Sequence, residues 1–110
     1  MKSSIKSKLA ENLPVIKISG AVSGEDSIKL SEEIGSLHKQ KVDRIVIDLS
    51  ETIGMDSSAM GVLVYWWKLL KHEDKRLFLF QPRDAISEML ETTNLDKLLP
   101  VIDTLDNLDA

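Results

Sequence analysis

The sequence predicts an α/β domain in which helices pack on a mixed central β-sheet of four or five strands. Two short apolar runs near the N-terminus are close enough to form a hairpin. A β-branched run at residues 44–49 is followed by a long helical pattern, and strand-like and helix-like segments then keep alternating. The right-handed crossover rule restricts how the parallel strands of such a sheet connect.

Residues 5–9 and 13–18 read as the two hairpin strands, joined near Glu11 and Asn12. Val15, Ile16 and Ile18 alternate imperfectly, and Pro14 sits near a strand start, where its missing N–H is tolerated. Ser23-Gly24-Glu25-Asp26 then opens a first helix, with Ser23 as N-cap and Asp26 as the short-armed member of a capping box. Ile28, Leu30, Ile34 and Leu37 give its apolar side. Ile45, Val46, Ile47 and Leu49 suit a buried strand.

Asp56 is a good N-cap for a second helix over residues 57–72, whose Ala59, Val62, Leu63, Trp66 and Leu70 follow helical spacing and should face the sheet. A second apolar line, Met60, Val64 and Trp67 with Tyr65, widens the arc beyond one buried stripe. Either flanking helices cover that surplus or part of it is a contact surface for a partner or a second copy. Trp66 and Trp67 cannot both point fully inward. Residues 76–80 form a fourth strand, Pro82 stops it and begins a third helix, and Ile86, Met89 and Leu90 face inward. A short helical turn at residues 95–99 and a last strand at residues 101–102 close the domain.

A chain of 110 residues fits one domain, and one of this size hides roughly two thirds of its unfolded surface. Hydrophobic residues at 43% and charged residues at 29% are ordinary for a folded globular protein and argue against native disorder. The net charge of -4, with no stripe of Lys and Arg, disfavours direct binding of DNA or RNA. Cysteine is absent, which removes disulfides, thiolate nucleophiles and thiolate metal sites. The N-terminus lacks the apolar core of a signal peptide and the longest apolar run is too short to span a bilayer, so a cytoplasmic protein without membrane insertion is expected.

Enzymatic chemistry finds little footing. A Ser between strand and helix has the placement of a nucleophile elbow, but no Gly-x-Ser-x-Gly surrounds Ser57 or Ser58. His38 and His72, the only imidazoles, fall at helix ends amid charged residues, which suits solvent-exposed caps better than a triad. The Asp spacings match no metal loop, and there is no Gly-rich phosphate cradle, so neither metal nor nucleotide cofactor is expected. The acidic stretch 103–109 reads as solvated surface or a frayed helix. What remains is a pair of hydroxyls at a helix start, where unpaired N–H groups and the positive end of the dipole favour a negative charge. From the residues alone, Ser57 and Ser58 are either capping residues or a modification site.

The strand-end Asp48-Leu49-Ser50 and the helix-opening Met55-Asp56-Ser57-Ser58-Ala59-Met60-Gly61 resemble the STAS domain of anti-sigma factor antagonists, whose usual pattern is Asp-Leu-Ser and then Met-Asp-Ser-Ser-Gly-Leu-Gly. Ser19-Gly20, as a turn after the second strand, and Asn94-Leu95-Asp96-Lys97-Leu98 extend the resemblance through nearly the whole chain. It implies the STAS fold and a non-catalytic regulator. Its partner would be an anti-sigma factor with serine kinase activity, and the phosphorylated residue would be Ser57. Unmodified, such a protein binds the anti-sigma factor and frees a sigma factor for transcription; any ATP used belongs to the partner.

The implied docking surface joins the loop 20–26, including Ser23, to the second helix start at Asp56, Ser58, Ala59 and Met60. Ala59 and Met60 stand where the family usually has Gly and Leu, and Ser23 where members often carry an acid, a role left to Glu25 or Asp26. The alternative is a non-catalytic STAS scaffold subunit, as in stressosome-like or lipid-transport complexes, held through Val64 and Trp67.

Overall fold

The computed structural model describes residues 4–10 and 13–106, so the expected hairpin turn at Glu11 and Asn12 and the end of the acidic stretch lie outside the described residues. The elements follow the order β1 (Ser4–Ala10), β2 (Leu13–Val22), α1 (Glu25–Lys39), β3 (Arg44–Met55), α2 (Ser57–His72), β4 (Arg76–Phe80) and α3 (Asp84–Thr92). A 3-10 turn (Leu95–Lys97) and β5 (Val101–Ile102) complete it.

The five strands lie side by side in chain order, β1 antiparallel to β2 and every later pair parallel. Each crossover therefore steps the same way across the sheet. Because such crossovers are right-handed, stepping always in one direction leaves every helix on one face.

The side chains record that asymmetry. Ile16, Ile18, Ile45, Ile47, Leu49, Leu77 and Leu79 join helix residues such as Leu30, Ile34, Leu63, Leu70, Ile86 and Leu90 in the main core. The alternate strand positions Leu13, Val15, Val46 and Phe78 form a smaller cluster with no helix residue in it. Trp66 packs against α1, its ring 3.4 Å from where a Cβ on Gly35 would stand, and its Nε1 donates to Ser31 Oγ at 3.0 Å. Val64 and Trp67 are partly buried against the main core, so flanking structure covers most of the surplus apolar arc of α2, and Tyr65 alone of that line stays well exposed.

Several local expectations need correction. β3 does not stop at Leu49 but runs to Met55, and Gly20 lies within β2 rather than after it. The register explains why: Lys17 faces Asp48 but Ser19 faces Glu51, and Gly20 faces Thr52 but Ala21 faces Gly54, so β3 twice spends one extra residue in a bulge. Ile28, expected on the inner side of α1, is 61% exposed, and Ser27 takes the inward position in phase with Leu30 and Ile34. α1 begins at Glu25 with Gly24 as its N-cap and no side-chain cap, so Ser23 caps nothing. Pro82 precedes α3, which starts at Asp84 after Arg83. His38 is not a solvated cap: its Nε2 meets Glu73 Oε1 at 2.8 Å and its ring lies 5.5 Å from that of Trp66.

Candidate functional site

β2 and β3 end side by side, Val22 opposite Met55. The chain leaves β3 through Asp56, whose extended backbone (φ -89°, ψ 179°) lets its N–H donate to the Val22 carbonyl at 3.1 Å. An extended residue followed at once by helix has N-cap geometry, and Asp56 Oδ1 accepts the Ala59 N–H at 3.0 Å. The second carboxylate oxygen reaches across the sheet end, accepting the Gly24 N–H at 3.2 Å. One side chain thus holds the start of α2 and the start of α1 together. The Ala59 N–H, and after it the Gly24 N–H, keep the Asp56 carboxyl below the usual carboxylate range.

The glycine at position 24 follows from that contact. Its φ of 48° with ψ of -114° is backbone that side chains with a Cβ rarely adopt, and it turns the N–H toward Asp56. Ser23, just before it, is exposed. Its carbonyl accepts the Asp26 N–H at 2.9 Å, while Asp26 Oδ2 stands 3.5 Å from the Ser23 N–H.

Ser57 and Ser58 are the first two residues of α2 and both are exposed, and no acidic residue follows them in the first turn. Their hydroxyls stand at the positive end of the α2 dipole, where the Ala59 and Ser58 N–H groups already face the Asp56 carboxylate. Ala59 is 0% exposed and Met60 6%. Both side chains belong to the core, directly beneath the exposed Ser57 and Ser58. Ser23, Asp56, Ser57 and Ser58 therefore gather at one end of the sheet, with Ala59 and Met60 beneath.

The bulges that bring β3 to this end are held by residues whose roles were not legible beforehand. Asp48 Oδ1 accepts both the Ser50 N–H at 2.9 Å and the Ser50 hydroxyl at 2.6 Å. The Ser50 carbonyl takes the Arg83 Nε–H at 2.9 Å, and the buried Thr52 hydroxyl donates to the Ile18 carbonyl at 2.8 Å. Bulging removes ladder partners, and these side chains supply replacements. Ile28 in the first turn of α1 and Ile53 near the end of β3, 44% exposed, add apolar surface. Their signal was weak: each breaks the periodicity of its element.

Among the described residues no group of three or more His, Asp or Glu side chains could hold a metal ion, and no helix is long and apolar enough to cross a membrane. The model of the STAS domain family matches residues 4–108. An anti-sigma-B factor antagonist of Staphylococcus aureus is 25% identical over 101 residues, covering 92% of this chain and 94% of that protein. Among solved structures, an anti-sigma factor antagonist from Mycobacterium paratuberculosis superposes with a TM-score of 0.85 at 22% identity, over 96% of this chain and 90% of that one. The Bacillus cell fate determinant SpoIIAA in its phosphorylated form gives 0.72 at 16% identity, over 98% and 97%. These two likenesses bear on the fold, and the family match spans nearly all of the sequence: the chain belongs to the STAS domain family.

Proposed function

We propose that this protein is an anti-sigma factor antagonist: unmodified, it docks an anti-sigma factor with serine kinase activity through the sheet end around Ser57, and phosphorylation of Ser57 by that partner ends the complex. Binding frees a sigma factor, which places the protein's work in the cytoplasm. The reading is supported by the similarity to the Staphylococcus aureus antagonist and by the phosphorylated state of the SpoIIAA neighbour. The observation that carries it is the exposed Ser57 hydroxyl beside Asp56, a carboxylate with both oxygens already engaged.

The chemistry is that of a charge switch. A phosphate on Ser57 adds roughly -1.5 to -2 charges and three acceptor oxygens at pH 7. The α2 N–H groups relieve part of that charge. Asp56 cannot, and the phosphate competes with it for the same donors, loosening the Gly24 contact that fixes the loop between β2 and α1. A partner surface shaped for the unmodified site is repelled, and about 1.4 kcal/mol of repulsion already weakens binding tenfold.

Intact-mass measurement after incubation with ATP and a candidate anti-sigma factor kinase from the same organism tests the assignment. One phosphate is expected on wild type and on Ser58→Ala, and none on Ser57→Ala. An unmodified wild type, with the kinase active on another substrate, would overturn it.

A further inference from the structure

A cavity lies at the opposite end of α2 from Ser57. It is an open cleft of about 670 Å³ where the last turn of α2, the start of β4 and the segment leading into β5 meet. Trp67 and Lys71, on its wall, lie along α2 from Ser57 by roughly 15 and 21 Å at a rise of about 1.5 Å per residue. Its volume falls in the range of small-molecule pockets.

Its charge is opposite to that of the chain as a whole. Lys71, Lys75 and Arg76 line it against the single carboxylate of Asp74, in a protein of net charge -4. Lys71 Nζ stands 4.9 Å from the centre of the Trp67 ring, so a cation and an aromatic surface are presented together. Lys75 Nζ lies 3.6 Å from Glu73 Oε1, an oxygen whose nearer partner is His38 Nε2 at 2.8 Å. Glu73 therefore neutralises Lys75 only in part. Opposite these cations the wall is apolar: Trp67, Pro100 and Leu98, the last 42% exposed. The exposed Leu98 and the ammonium groups of Lys71 and Lys75 present apolar surface and positive charge side by side.

The geometry points to a binding site for a small amphipathic anion: a phosphate or carboxylate held by Lys71 and Lys75, carrying a ring or branched apolar group that lies against Trp67, Leu98 and Pro100. Neither half suffices. Lys71 is exposed and Lys75 is shared with Glu73, so neither holds a bare anion alone against water, and the apolar wall is too open to hold a neutral ring. The site shares no residue with the phosphorylation surface, so it stands whether or not Ser57 is modified.

The test is a titration of the ¹⁵N-labelled protein with phenyl phosphate, with inorganic phosphate and phenol as its two separated halves. Phenyl phosphate is expected to saturate, with shifts at the Trp67 indole N–H and at Leu98, and to bind at least about tenfold more tightly than either half. Lys71→Gln and Lys75→Gln weaken it several-fold each while leaving the rest of the spectrum in place. Asp74→Asn, which suits the left-handed backbone there (φ 61°), tightens it. Binding that never saturates, shifts scattered over the surface, equal affinity for inorganic phosphate, or indifference to Lys71→Gln would each overturn the proposal. So would association with anionic phosphatidylglycerol vesicles without phenyl phosphate binding, which would assign the cleft to a membrane surface.

Discussion

Asp56 has two jobs with opposite demands on its charge. As a cap and as the acceptor for Gly24 it must stay ionised, and both contacts hold its carboxyl below the usual range. As the neighbour of a phosphorylated Ser57 it would be the group most penalised. A carboxyl depressed on folding contributes stability that is complete above its unfolded pKa, about 4, and that is lost as pH falls through the folded value. Asp56→Asn keeps a capping oxygen but no charge. Wild type is therefore expected to unfold later in urea than Asp56→Asn at pH 7, and the difference should close in acid below about pH 4. A gap that persists at low pH would mean that the charge contributes nothing.

At the scale of elements, the unusual one is β3, which continues past its apolar run through two bulges to deliver Met55 and Asp56. Thr52 is fully buried there, and its hydroxyl serves the Ile18 carbonyl. Thr52→Val keeps the shape and removes this buried hydrogen bond, which should cost about 1 kcal/mol in denaturant unfolding. The bulges also explain how much of this region was legible in the sequence. Ile45 to Leu49 alternate in and out as a strand must, and α2 starts and stops at the expected residues because Asp56 caps it and its apolar spacing is regular. Residues 50–55 mix polar residues and Gly54 with Ile53 and Met55 and carry no such period. Their strand character comes from pairing with β2, supported by Arg83 and Thr52 through contacts across the fold that no local pattern encodes and by Asp48 through a local one to Ser50. Ser27 and Ile28 misled for a related reason: the more apolar residue lies on the outer side, because the Ser27 hydroxyl is satisfied by the Gly24 carbonyl at 2.6 Å. At the site, only the family resemblance joined the loop before α1 to the start of α2, and Gly24 as the other ligand of Asp56 is visible only in three dimensions.

For the whole molecule, the one-sided placement of the helices means that all three share one core with the sheet. Leu63, fully buried in it, comes from α2, and Ile34 and Ile86 bring in α1 and α3. Leu63→Ala should therefore lower the unfolding free energy by about 2–5 kcal/mol in a single transition, with circular dichroism and tryptophan fluorescence following the same curve. Separate transitions for the two probes would show that the helices are held independently. The strand order has a further consequence, for synthesis. Because each strand's neighbour is the one made just before it, the sheet can lengthen in step with translation, every new βα unit docking on a finished edge instead of waiting for a distant partner. Contacts of short sequence separation also keep the entropic cost of closing each loop small. The last described strand is only two residues long, so on that side the sheet offers neighbouring chains little strand edge to pair with.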